Sequence, residues 1–335
     1  MFIANVKCQV MHKEVEESIM KTIVETIKNM AEWQQPELPE DIAHGDMPGD
    51  KVQINEMHIQ KANVIFKELL PMLAKAAEES DNGKVVLTVC GGSGVGKSEI
   101  ASLLSFYLNE IGIGSYTLSG DNYPHRIPLY NDAERLHVFR EKAIKGMIAD
   151  GVFQAERFQI IHEYQKNGDD ANPVHSREYP WYESYLNHGK EGLQEYLGTN
   201  NEIGFDEVEK IVHKFKSGEK EIWLRRMGRE DTELWYEKVD FSKIQVLVIE
   251  WTHGNSDNYK GVDIPILLNS TPKETLEHRR ARNRDGATDS PFTMMVLEIE
   301  QAMLEKQAVK AKIIISKSGE LLNYDEYCKQ MREGR

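Results

Sequence analysis

The sequence predicts an α/β fold in which a parallel sheet, flanked by helices, is built around a phosphate-binding loop. Three observations predict it. First, the apolar run at 85–90 leads into Gly91-Gly92-Ser93-Gly94-Val95-Gly96-Lys97-Ser98, a complete G-x-x-x-x-G-K-[ST] pattern, and helix-forming residues follow at 99–109. Glycine lets the backbone turn tightly and aim its N–H groups at phosphate oxygens, and the following helix adds its N-terminal dipole. Second, short apolar strands alternate with helical stretches downstream, as parallel βαβ units do. Third, the run at 245–250 (QVLVIE) is an apolar strand closed by a carboxylate. The organisation predicted is a P-loop NTPase fold over 81–335, preceded by an N-terminal helical extension at 1–80. An inserted helical and hairpin region is expected at about 131–240 and a lid at about 279–291.

Composition narrows the function classes. The 335 residues hold 41 Lys and Arg against 55 Asp and Glu, a formal charge of −14, which argues against nucleic acid or an anionic membrane as the main partner. No apolar run approaches the ~20 residues that span a bilayer, and the N-terminus lacks the apolar core of a secretory leader. Cys8, Cys90 and Cys328 are far apart and without metal-like spacing, so free thiols in a reducing cytoplasm are expected. The partner expected is a small-molecule substrate, with no nucleic acid and no membrane; a homo-oligomer is left open.

The elements justify themselves in order. Residues 13–33 carry Val15, Ile19, Ile23, Ile27 and Met30 at helical spacing, and a second helix is expected over 54–79 with Ile59, Val64, Leu69, Leu70, Leu73 and Ala77. Neither carries recognisable chemistry. The turn at 80–83 leads to the first strand. Lys97 is expected to reach the β/γ-phosphates and the Ser98 hydroxyl to ligate Mg²⁺. Gly91, Gly92, Ser93, Gly94, Val95, Gly96, Lys97, Ser98 and Glu99 form the ATP-binding set. A short strand at 115–119 ends at Gly120-Asp121-Asn122-Tyr123. Ligands in parallel sheets sit beyond the carboxyl ends of the strands, so Asp121 shares an edge with the loop and can take a proton from a hydroxyl that attacks phosphorus. Tyr123, His125 and Arg126 are candidate substrate contacts.

Residues 131–166 predict one long or two broken helices. Residues 167–188, rich in Pro, Tyr and Trp, predict a long loop, either a lid or an ordered insert pinned by its aromatics. A helix is expected at 203–216 and a hairpin at 220–240, whose Arg225, Arg226 and Arg229 either cap a solvated turn or clamp an anionic substrate. Glu250 has the position of a Walker B acid that orients Mg²⁺. Strands are expected at 262–269 and 311–315, the second followed by residues 316–319 near where a base would lie. Arg279, Arg280, Arg282 and Arg284, before a loose Gly/Ser/Pro stretch, predict a lid that lowers guanidiniums onto the transferring phosphate.

The order of these motifs resembles the phosphoribulokinase/uridine kinase family of P-loop kinases. The resemblance rests on the loop, Asp121-Asn122-Tyr123 after the second strand, residues 246–251 (VLVIEW) in place of I-L-V-I-E-G, and Arg284-Asp285 in the arginine-rich helix. It implies a catalytic base at Asp121, a metal or substrate contact at Glu250, and phosphate stabilisation by Lys97, Arg280 and Arg284, with ATP and Mg²⁺ as co-substrate and metal. Trp251 departs from the family's glycine. The expectation is a cytoplasmic, ATP-dependent kinase of a small-molecule hydroxyl, on a nucleoside, a sugar phosphate or similar. The alternative is a regulatory or interaction protein with a kinase-like fold. A guanine-selecting Asn-Lys-x-Asp motif and a complete L-S-G-G-Q signature are both missing from the sequence.

Overall fold

Strand β1 (Val85–Gly91) is buried along its whole length, and the sheet is built outward from it. The structure, a computed structural model, describes residues 23–30, 32–271, 273–277 and 290–333. On one side of β1 lie β5 (Val246–Glu250) and then β2 (Ser115–Ser119). On the other lie β6 (Ile264–Leu268), β7 (Ile313–Ile315) and the two-residue β8 (Leu321–Leu322). All pairings are parallel except β7–β8. Helix α2 (Lys97–Glu110) thus carries the chain past the place of β5, which fills in later between β1 and β2.

Alternation along β1 gives each sheet face its own core. Val85, Leu87 and Val89 point to one face, where α1 (Glu56–Glu79), α2 and residue Ile23 cover them with Phe66, Leu69, Leu73, Leu103 and Tyr107. Residues 23–29 are helical. Val86 points to the other face, under Phe205, Val208, Ile211 and Phe215 of α7 (Phe205–Lys216). The antiparallel hairpin of β3 (Glu221–Met227) and β4 (Leu234–Asp240) lies beside that helix and pairs with no strand of the main sheet.

The insert is more regular than its composition predicts. Helices α3 (Pro128–Ala149) and α4 (Ala155–Lys166) match two broken helices, and Gly151 (φ 69°) supplies the break. Of the two readings of 167–188, the structure has the ordered insert pinned by its aromatics, and only the irregular loop is corrected: part of it folds into a single-turn α5 (His175–Glu178) and the start of α6 (Tyr182–Tyr196). Its aromatics are structural. Tyr182 and Tyr185 are fully buried, and their hydroxyls bond the Asp170 carbonyl (2.9 Å) and carboxylate (2.8 Å). The Asp170 carboxylate in turn pairs with Arg140 (2.7 Å). Helices α3 and α6 meet closely because Gly189 and Gly192 leave room for Phe139 and Lys142. Helix α8 (Pro291–Gln307) closes this cluster with Val296 and Ile299, and α9 (Tyr324–Glu333) covers Cys90 and β7 on the far side. Among the described residues no helix is long and apolar enough to cross a membrane.

Candidate active site

Register brings three elements to one edge. Glu250, the last residue of β5, pairs with Val89 of β1 and with Ser119 of β2. The phosphate loop starts two residues beyond Val89, and Asp121 stands two residues beyond Ser119. The loop has the conformation that glycine allows: Gly94 and Gly96 have φ of 76° and 97°, and Gly96 caps α2 from the left-handed region. A Cβ at Gly91 would lie 2.7 Å from the Leu268 carbonyl, so the strand end tolerates no side chain there. The Lys97 ammonium folds back onto the Gly92 carbonyl at 3.1 Å.

Glu250 is the most constrained group of the site. It is 3 % exposed. Its carboxylate accepts from the Ser119 hydroxyl at 2.5 Å and the Ser98 hydroxyl at 3.3 Å. Burial and then the neighbouring Asp121 charge push its pKa up to about 8, with Lys97 acting against them. A hydroxyl and a carboxylate facing one space are the hard oxygen donors that Mg²⁺ takes when phosphate oxygens and water complete its shell. Among the described residues no cluster of three His, Cys, Asp or Glu could hold a metal without such help. Asp121 is exposed on the 3₁₀ turn Gly120–Asn122, where its carboxylate can reach a ligand.

Trp251 explains its own departure from glycine. It is 2 % exposed and packs on Gly120 so closely that a Cβ there would lie 2.0 Å from the indole. Phe205 (centroids 5.2 Å apart), His253 (5.5 Å) and Tyr259 (6.0 Å) hold it from behind. The indole thus backs the turn that carries Asp121.

Several predicted contacts are placed elsewhere. Tyr123 is corrected: it is fully buried in the α7 core, because the turn after Asp121 points it inward. Arg226 is also corrected: 5 % exposed, it is held by Asp46 (2.9 Å), Glu237 (3.0 Å) and the Tyr116 hydroxyl (3.0 Å), so it is not free to clamp a substrate. Arg225 faces Glu207 at 3.6 Å. Arg229 stands on the exposed hairpin turn with its N–H on Glu233 (2.8 Å). His125 is on the rim, its Nε2 at 2.9 Å from the Asn200 carbonyl. Arg126 bonds the Tyr196 hydroxyl (3.1 Å) and faces Glu134 (3.5 Å). Arg279, Arg280, Arg282, Arg284 and Asp285 lie outside the described residues, as do Cys8 and most of the first predicted helix.

The structure adds residues that no short-range pattern announces. Asp46, from the segment before α1, is buried beneath the Asp121 turn. Its carboxylate accepts from the Ser119 N–H (2.7 Å), the Asn122 amide (3.1 Å), the Tyr116 hydroxyl (2.9 Å) and Arg226. Burial raises its proton affinity, and Arg226 opposes that. Across the cleft, α8 runs beside Gly92 through Gln301 and Leu304, and its Glu300 feels the charges of Lys97 and Asp121. Arg135 bridges Glu202 (2.6 Å) and Glu300 (3.6 Å). Burial would raise the Glu202 pKa, but Arg135 and the Gly198 N–H hold it below the ordinary value, whereas burial keeps Glu300 raised. His253 is buried beside this group, which keeps its pKa down to about 4 and the ring neutral.

Comparison with known proteins follows from this geometry. No protein-family model matches the chain. It is similar to the bifunctional alpha-galactosidase/sucrose kinase AgaSK of Mediterraneibacter gnavus, 38% identical over 251 residues. Those residues are 75% of this chain and 22% of the relative, so the chain spans about a fifth of the relative's length. Among solved structures it is similar to the D-glycerate 3-kinase of Cryptococcus neoformans, with 13% identity, a TM-score of 0.45, and coverage of 81% of this chain and 99% of that one. The fold is assigned from the chain's own sheet order and loop.

Proposed function

We propose that the chain is an ATP-dependent kinase of the phosphoribulokinase/uridine kinase type that phosphorylates a hydroxyl of a neutral saccharide. The observation that carries the reading is the convergence of Lys97, Ser98, Glu250 and Asp121 on one sheet edge, through the pairing of Glu250 with Val89 and Ser119. Of the two activities in the relative's name, a phosphate loop serves the kinase and has no part in glycoside hydrolysis. Sucrose is therefore the first acceptor to test.

The acceptor class follows from charge. A phosphorylated acceptor needs an uncommitted cation. Among the described residues, Arg126, Arg135, Arg225 and Arg226 each face a carboxylate, and Asp121 adds a further carboxyl group to the same cleft. Carboxylates bind sugar hydroxyls by accepting their hydrogen bonds and repel phosphates.

In the reaction, the loop N–H groups and Lys97 would hold the triphosphate, and Ser98 with Glu250 would hold Mg²⁺, whose charge would ease the build-up of negative charge as the phosphoryl group passes to the acceptor and ADP leaves. Asp121 accepts the proton of the attacking hydroxyl, and Ser119 keeps Glu250 oriented beside it. The predicted role of Arg280 and Arg284 over the phosphate belongs to the same proposal.

The test is ATP consumption with Mg²⁺ against sucrose, other neutral sugars, polyols, nucleosides and sugar phosphates, with Lys97→Ala as background. Turnover on a neutral sugar that Asp121→Asn reduces by about 10²–10⁴ while ATP still binds is expected. Full activity of Asp121→Asn removes the base assignment. ATP binding without turnover on any acceptor returns the chain to the regulatory reading.

A further inference from the structure

Folding gathers one wall of the cleft from three distant stretches. Helix α3 is tied to the chain just after Asp121: Arg126 faces Glu134 at 3.5 Å and donates to the Tyr196 hydroxyl at 3.1 Å, and the His125 N–H donates to the Glu202 carbonyl at 2.9 Å. Helix α8 is tied to the phosphate loop, with the Gln301 Oε1 3.9 Å from where a Cβ would stand on Gly92. Arg135 joins the two helices, donating to Glu202 at 2.6 Å and standing 3.6 Å from Glu300. Glu300 in turn feels the charges of Lys97 and Asp121, so this wall belongs to the reacting centre.

Two acceptors on the wall have no donor. Asn131 is 6 % exposed and lies one helical turn before Arg135, so the two side chains reach the same Glu202 oxygen. The Asn131 Nδ2 donates to that oxygen at 3.1 Å. Glu202 is held ionised and can only accept, which settles which end of the amide is the oxygen. The Asn131 Oδ1 is shut off from water and bonds nothing among the described residues. Glu300 is the second. Among the described residues its carboxylate accepts no hydrogen bond, because Arg135 stands too far off to donate one. Its side chain is still 13 % exposed, so it stays within reach of a ligand. A hydroxyl brings the proton that both oxygens lack, whereas a phosphate brings only more acceptors.

We propose that Glu300 and Asn131 bind the acceptor, each taking a hydrogen bond from a sugar hydroxyl other than the one phosphorylated, while Arg135 and Glu202 hold the pair in position. The inference rests on the kinase reading and deepens it. The insert, through α3, then selects the substrate as well as adding core.

The experiment measures steady-state rates with MgATP on sucrose, or on the neutral sugar of the panel above that turns over, and titrates MgATP alone by calorimetry. It compares wild type with Glu300→Ala, Glu300→Gln and Asn131→Ala. The sugar KM is expected to rise about 10–100-fold in Glu300→Ala, which loses a bond to a charged group, and about 2–10-fold in Asn131→Ala, which loses a neutral one. The value of kcat should move less than KM, as for a contact made equally in the ground and transition states. Glu300→Gln keeps an oxygen at that place and is expected to recover most of the loss. MgATP should bind all three variants within about threefold of wild type, since uniform binding of the sugar alone is removed. A wild-type sugar KM in Glu300→Ala or Asn131→Ala overturns this inference and leaves the kinase reading intact; for Asn131 it would mean that a trapped water supplies the donor. Loss of MgATP affinity in step with the rise in KM, together with a lower melting temperature, would make the pair structural and overturns the inference as well. A wild-type chain that binds MgATP and turns over no neutral sugar overturns the kinase reading itself.

Discussion

Replacing Asp46 tests whether the segment before α1 holds the catalytic turn in place. In Asp46→Ala, four donors lose their acceptor: the Ser119 N–H, the Asn122 amide, the Tyr116 hydroxyl and Arg226. Breaking a buried ion pair by removing one member costs about 3–5 kcal/mol, because the other charge stays buried. Glu237 remains on Arg226 at 3.0 Å and is half exposed, which moves the expectation toward the lower figure. The orphaned Ser119 N–H adds about 1–3 kcal/mol if no water reaches it. A total of about 3–6 kcal/mol is expected, the low end if water reaches the Ser119 N–H. Asp46→Asn keeps an acceptor for Ser119 and Asn122 but turns an amide N–H₂ toward Arg226 and Tyr116, so about half that loss is expected. Urea unfolding at neutral pH, followed by circular dichroism, measures both. Because Ser119 and Asn122 bracket Asp121, kcat should fall roughly 10–100-fold in Asp46→Ala, the scale of a displaced catalytic group. A loss below about 0.5 kcal/mol, or an Asn variant less stable than the Ala variant, would falsify the account of this buried pair.

Three further outcomes follow from the same geometry. Gly120→Ala should cost at least about 1–3 kcal/mol in unfolding free energy, since the indole 2.0 Å away is held from behind; a neutral result would mean that Trp251 can move aside. Glu250 has a folded pKa of about 8 against an ordinary 4.5, so between those values the ligand-free chain carries an extra proton and its stability falls as pH rises. Binding of MgATP near pH 6.5 should release close to one proton, read from calorimetry in buffers of different ionisation enthalpy, and Glu250→Gln should release none. His253, held at about 4 against 6.5, makes stability fall as pH drops through 6.5 toward 4, with a slope approaching ~1.4 kcal/mol per pH unit. His253→Gln should flatten that slope in an acid titration of unfolding.

The sequence-based reading reached the groups that contiguous patterns encode. The loop at 91–98 and the strand ending at Glu250 are runs whose residue types are dictated by backbone geometry and by burial on both faces, so they are visible without a structure. Asp46, Arg135, Glu202 and Glu300 are invisible in that sense. Each is an ordinary charged residue until folding brings it to a partner 67 to 180 positions away. The insert misled for a different reason. Pro173 and Pro180 among aromatics read locally as loop, and what orders the segment is the burial of Tyr182 and Tyr185 on Asp170, a tertiary gain that propensity does not register. Arg226 misled because density of arginine marks an anion site only when no carboxylate has already claimed the charge.

Trp251 also gives the protein an optical address. An indole shut away from water emits to the blue of one in solvent, and this one lies against the turn that carries Asp121, one residue after Glu250. Trp223 and Trp235, on the hairpin, are 57 % and 39 % exposed and belong to the red side of the same spectrum. Trp33 and Trp181 are half-buried elsewhere, so the signal of the site is the difference at the short-wavelength edge between the wild type and Trp251→Phe, and a soluble quencher will silence the hairpin before it reaches that signal. Loading of the cleft can be followed there in real time, with no label attached.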